Sequence, residues 1–169
     1  MSTFKKIEPI TLAENTFKLI GKDWMLITAG NLDNYNTMTA SWGAFGVLWN
    51  KNTSTIYVRP TRYTYEFLEK NEYYSLSFFS EKYRSALNFC GANSGKDVEK
   101  AEKTGLTPLK GDFGVFFGEA RLVIECKKIF YTDLDPKKFL DKKIDLKNYP
   151  KKDYHRIYIG EILNCLSKV

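Results

Sequence analysis

Residues 36–45 of the chain read NTMTASWGAF, and the alternation in this stretch decides what fold to expect. β-Branched and aromatic residues mark a strand, and a period of two sets Thr37, Thr39, Ser41 and Gly43 on one face. That face suits neither water, which draws Lys, Glu or Gln, nor a core, which draws Val, Ile or Leu. Small hydroxyls donate and accept hydrogen bonds with little steric demand, and Gly43 permits close backbone approach. Two readings fit: a polar face packed beneath a loop, and a bed for a ligand.

Strand signals continue on both sides of it, in WMLITAG from Trp24, STIYVRP from Ser54, EYYSLSFF from Glu72, VFFGEARLVIECKKIFYT from Val115 and HRIYIGEILNCL from His155. The last alternates, with Ile157, Ile159 and Glu161 on one side and Tyr158 and Gly160 on the other. Helices are fewer and shorter. One is expected from Thr64 through YEFLEK with Thr64 as N-cap, and one over EKYRSALNF after Ser80. A third belongs with SGKDVEKAEKTG, where Ser94 and Asp97 have capping-box spacing and Gly105 stops the helix. Strands with short helices between them do not match the βαβ alternation of a doubly wound sheet. A mainly β fold is expected, an antiparallel barrel with short peripheral helices. With no repeat or Gly/Ser-rich linker, residues 1–169 read as a single domain whose core spans about 20–166.

The chain has 169 residues, 43% hydrophobic and 15% aromatic, enough for a core, which excludes disorder. MSTFKKIEPITLAENT has no apolar h-region and no later run approaches the roughly 20 apolar residues of a membrane span, so a soluble cytoplasmic protein away from membranes is expected. Cys90, Cys126 and Cys165 are scattered and lack CxxC spacing, which fits a reducing compartment. The net charge of +6 concentrates in KKFLDKKIDLKNYPKKD, interrupted by Asp141, Asp145 and Asp153. That segment reads as a solvated face, compatible with attracting a phosphorylated small molecule. A basic β-barrel module for nucleic acid would interleave Lys and Arg with strand aromatics, whereas these aromatics stand apart from the lysines.

Most catalytic vocabulary is missing. The single histidine, His155, excludes HExxH and multi-histidine metal sites, so no metal is expected, and GxGxxG, Walker and GxSxG motifs are absent. A cofactor would have to carry the difficult step. In RPTRYT, Arg59 to Thr64, a strand ends, Pro60 turns the chain and two arginines flank a helix start, a setting for an anion; the alternative is that Arg59 and Arg62 pair with nearby acids. CGANSGKDVEK, from Cys90, is a small-residue loop before a helix start, and capping alone also accounts for it.

In their order along the chain, NTMTASWG, RPTRYT, SGKDVEK and HRIYIGE resemble the flavin reductase-like family of FMN-binding split barrels, which includes flavoredoxin-type proteins. The resemblance implies an antiparallel split barrel, a homodimer and one FMN in each of two sites near the subunit interface. By the same resemblance Asn36, Thr37, Met38 and Thr39 lie along the flavin ring, followed by Ser41 and Trp42. Arg59, Arg62, Tyr63 and Thr64 serve the ribityl chain and phosphate, as do Ser94, Gly95, Lys96 and Asp97. Lys96 stands where the family usually has arginine, keeping the charge and losing the planar fork. His155 is a possible substrate-side residue, or a strand histidine bonded to backbone. Trp42 reads equally as a core aromatic or a ring neighbour, and Trp49 as core. The implied function is NAD(P)H-dependent flavin reduction, with hydride passing from nicotinamide to flavin. The alternative is an FMN-containing electron carrier that serves a protein partner without NAD(P)H turnover.

Overall fold

The computed structural model describes residues 3–169 and is built on one long antiparallel sheet. Its strands include β1 (Phe4–Ile7), β2 (Met25–Asn31), β3 (Asn34–Ala40), β4 (Gly43–Leu48), β5 (Lys51–Val58) and β6 (Tyr73–Phe78). A ribbon of β7 (Pro108–Lys110) and β8 (Val115–Phe117) precedes two long strands, β9 (Leu122–Asp133) and β10 (Arg156–Lys168). The helices are α1 (Thr16–Lys18), α2 (Tyr63–Lys70), α3 (Arg84–Ala92), α4 (Lys100–Thr104) and α5 (Lys142–Asn148).

The strand order is β3-β2-β6-β9-β10-β5-β4, so β3 and β4 are the two edges. They are also consecutive in sequence, separated only by Ser41 and Trp42, which holds the end of one within about 11 Å of the start of the other. An eight-stranded sheet whose edges must meet has to roll up. β10 marks where it parts: Arg156–Glu161 pair with β5, whereas Cys165–Lys168 pair with β1, and the ladder to β9 is irregular at Ile159/Gly160 and Ile162/Asn164. The architecture is the expected split barrel with short peripheral helices.

Alternation along β2 shows how the two layers form. Met25, Ile27 and Ala29 point into the barrel with Ile56, Leu76, Phe78, Ile124 and Tyr158, and Phe67 and Leu68 of α2 join the same cluster. Leu26 points the other way, into a second cluster with Val123, Phe117 and Ala86, Leu87 and Cys90 of α3. A strand covered on both faces reads as a continuous apolar run, as MLITA does.

The structure corrects several local expectations. NTMTASWGAF is two strands with a break at Ser41–Trp42, so its four small residues do not share one face. VFFGEARLVIECKKIFYT likewise divides into β8 and β9. Arg62, two residues before Thr64, stands at the N-cap position of α2, with no side-chain capping bond. Ser94 to Asp97 form a turn, with the Ser94 carbonyl accepting the Asp97 and Val98 N–H groups, and α4 starts only at Lys100 before stopping at Gly105 in the left-handed region. Trp49 is exposed rather than core: with Asn50 it forms the two-residue turn between β4 and β5, both at positive φ. β1 had no clear signal in its four residues.

Candidate functional site

The hydroxyl face of β3 is a docking surface for a helix. The Thr39 hydroxyl donates to the Leu87 carbonyl of α3, and a Cβ on Gly91 would stand 3.3 Å from the Thr39 Cβ. Thr37 is buried, donating to the Ile27 carbonyl at 3.2 Å and accepting from Thr28 Oγ1 at 3.0 Å. Small side chains let the helix approach, and the hydroxyls are satisfied within the fold.

What β3 offers outward is its free edge; two adjoining cavities follow it, and a third continues past Ser41 and Trp42 along the start of β4. The first, about 150 Å³, is lined by Asn36, Met38, Arg62, Tyr63, Thr64, Ser94 and Lys100. Asn36 ties its walls together: its amide donates to the buried Thr64 hydroxyl at 2.7 Å, and the chain at Gly95 presses so close that a Cβ there would fall 1.9 Å from Asn36 Oδ1. Three segments far apart in sequence meet at this one side chain. Tyr63 and Thr64, in the first turn of α2, border the cavity ahead of the helix's hydrogen-bond ladder, which begins with the Tyr65 N–H on the Arg62 carbonyl at 2.9 Å.

Arg62 donates to the Gly91 carbonyl at 2.9 Å and is otherwise exposed. Lys100, which sequence reading missed, is buried and donates to the Thr37 and Cys90 carbonyls at 2.7 and 2.9 Å. Burial draws its ammonium below the ordinary lysine value. Its only sequence signal was position, four residues beyond Lys96 in the same loop. Lys96 itself is exposed, paired to Glu66 at 2.7 Å and lying over the Tyr63 ring, and Asp97 is exposed beside it.

Met38 and Arg62 continue into a second cavity of about 210 Å³, with Ser41, Trp42, Tyr57, Arg59 and His155. His155 is buried, its Nδ1 hydrogen-bonded to the Tyr149 hydroxyl at 2.8 Å and its ring 5.2 Å from that of Trp42. Burial, with Arg59 nearby, pushes its pKa down to about 4, so the imidazole is neutral at pH 7. Arg59 takes the alternative open to it in the sequence: it pairs with Asp153 at 2.7 Å, donates to the Asn148 carbonyl at 2.8 Å and covers the Tyr149 ring. Ser41, Trp42 and Tyr57 lead on to a third cavity of about 830 Å³ walled by Phe17, Phe45, Phe139 and Tyr149.

The ensemble is a polar, cationic recess at one end, a flat edge-lined middle and a large aromatic chamber at the other. No described helix is long and apolar enough to cross a membrane, and among the described residues no cluster of three or more His, Cys, Asp or Glu is placed to hold a metal.

These features define the class of mainly β split barrels with a groove beside the open edge. Within that class the chain belongs to the flavin reductase-like domain family, whose model matches residues 18–168. Among solved structures it is similar to an FMN-binding domain of a flavin reductase-like enzyme from Shewanella baltica OS155, with a TM-score of 0.69 and 16% identity over 98% of this chain and 78% of that one. It is also similar to the flavoredoxin of Desulfovibrio vulgaris (Miyazaki F), with a TM-score of 0.65 and 22% identity over 95% and 74% of the two chains. An NADH:FAD oxidoreductase of Streptomyces globisporus C-1027 has a TM-score of 0.65 and 14% identity over 86% and 75%. No curated protein matches.

Proposed function

We propose that the groove holds FMN and that the protein is an oxidoreductase drawing hydride from NAD(P)H. The observation that carries this reading is the continuity of the three cavities from the β3 edge past Ser41 and Trp42 to the start of β4, cationic at one end and aromatic at the other. FMN has that polarity, a phosphate joined by a polyol to a flat ring. The recess fits the phosphate through Arg62, Ser94 and the first turn of α2, with Lys100 adding charge. Backbone groups on the edge at Met38 to Ser41 suit the polar rim of a ring, and Trp42 and His155 close the middle of the groove.

When bound, FMN supplies a two-electron centre that accepts hydride from a reduced nicotinamide. The protein binds, orients and excludes water. His155, neutral and fixed by Tyr149, offers a hydrogen-bonding wall, and no charged general acid is needed beside it. Of the residues expected at the cofactor, Lys96 and Asp97 belong to the outer loop, Thr39 contributes backbone rather than its hydroxyl, and Thr37 has its hydroxyl and its carbonyl both taken within the fold. We also infer a cytoplasmic homodimer in which the exposed Val47, Leu48 and Trp49 of the β4–β5 hairpin meet a second copy, with Phe130 packed against Trp49.

The experiment is anaerobic: FMN is added to the protein, unbound flavin is removed, and the absorbance of the bound flavin is followed on adding NADH or NADPH. Rapid bleaching is the expected result. Bound flavin that neither nicotinamide reduces would leave the electron-carrier reading in its place.

A further inference from the structure

Seven lysines against four aspartates give the strap between β9 and β10, residues 134–154, a charge of +3, half of the chain's net +6. The four acids are spent inside the strap or on its anchor. Asp135 and Asp141 each accept a backbone N–H at 2.9 Å, from Lys137 and Lys143. Asp145 accepts the Tyr154 hydroxyl at 2.9 Å, and Asp153 holds Arg59. Among the described residues none of the seven lysines is in an ion pair, and all are exposed. A face that serves only solubility mixes both signs, and here one sign is left over.

The strap also walls the aromatic chamber. Leu134, Phe139, Ile144, Asn148 and Tyr149 line it, and Ile144 and Asn148 lie four apart on α5, the spacing of one helix face. Lys147, three residues after Ile144, flanks that face, and Lys142 and Lys143 begin the helix. An aromatic chamber walled by a strap that carries unpaired positive charge favours a molecule with flat rings and clustered negative charge. A further ribose phosphate adds roughly two negative charges to a nicotinamide dinucleotide at pH 7.

We infer that the strap is the specificity element for the reductant and favours NADPH over NADH, an inference that rests on the FMN reading of the groove. Charge at this range acts on binding, so the discrimination lies in KM and weakens with salt.

The test compares flavin reduction by NADPH and NADH at about 20 and about 300 mM salt, where the Debye length falls from roughly 20 Å to roughly 6 Å. The expected result is a KM for NADPH about tenfold below that for NADH at low salt, the gap closing as salt rises. Replacing Lys142, Lys143 and Lys147 together by Gln should raise the NADPH KM several-fold more than the NADH KM. The same loss of charge at Lys5 and Lys6 on β1 should leave the ratio unchanged. Equal KM values for the two dinucleotides, or a preference that survives in the triple variant, would overturn the strap's role and leave the FMN reading standing. Bound flavin that neither dinucleotide bleaches would overturn the strap's role together with the reductase reading, and leave the groove as the FMN site of an electron carrier.

Discussion

Arg59 and Arg62 stand three residues apart in RPTRYT, and nothing in their local sequence separates them. The fold does. Arg59 is committed to Asp153, the Asn148 carbonyl and the Tyr149 face, so it is an anchor for the strap. Arg62 spends one bond on Gly91 and borders two of the cavities. Arg62→Ala should therefore weaken FMN by roughly 10- to 100-fold, the cost of a charge-assisted hydrogen bond, while riboflavin, which lacks the phosphate, loses little. Arg59→Ala should instead weaken both ligands alike and lower the urea midpoint, because it frees the strap and leaves Asp153 without its partner. Fluorescence titration with the two flavins separates the cases, and equal losses for Arg62→Ala would remove it from the phosphate. Thr39 teaches the same lesson. Its hydroxyl looked available to a ligand in the sequence, but it belongs to α3, so a bulky apolar residue there should damage folding first. Whether a small polar side chain meets ligand or helix depends on tertiary partners, which no local pattern carries.

At the scale of elements, period and composition located the major strands because each buries at least one face. They failed where a strand changes partner. β10 reads as one alternating run, with Tyr158 and Gly160 inside, and that alternation is correct. The sequence displays neither the irregularity at Ile159/Gly160, where β9 carries the extra residue Ile129, nor the close approach of Gly160 to Tyr74 of β6. A Cβ at Gly160 would stand 2.3 Å from the Tyr74 hydroxyl, which is fully buried and bonded to Ser54 at 2.6 Å. Gly160→Ala should thus force Tyr74 out of position, break its bond to Ser54 and cost about 1–3 kcal/mol by overpacking. Chemical denaturation measures this. Tyr74→Phe paired with Gly160→Ala should recover little, because the ring atoms at 2.8 Å clash as well as the hydroxyl; full recovery would show that the hydroxyl alone sets the requirement for glycine.

For the whole molecule, the rolled sheet turns its β4 edge and the adjoining hairpin outward with large apolar groups that a monomer has no reason to expose. Val47 is 73% and Trp49 58% exposed. Trp49 also sits at φ +51, a conformation unfavourable for a bulky side chain, so it is held in that turn at a local cost. A second copy covering the hairpin would offset that cost. Trp49→Gly separates the two contributions because only one of them depends on protein concentration. Glycine relaxes the turn, a gain of about 0.5–1 kcal/mol that loss of the Trp49–Phe130 ring contact offsets within the isolated chain, while it removes an aromatic anchor from the proposed interface. Sedimentation should accordingly show a dimer for the parent protein and a shift toward monomer for the variant. Thermal stability should stay close to the parent's in dilute samples, where monomer prevails, and fall below it in concentrated ones, where dimerisation contributes. A parent protein that sediments as a monomer at about 100 μM, in the range where weak biological dimers still form, would assign the exposed hairpin to a different partner.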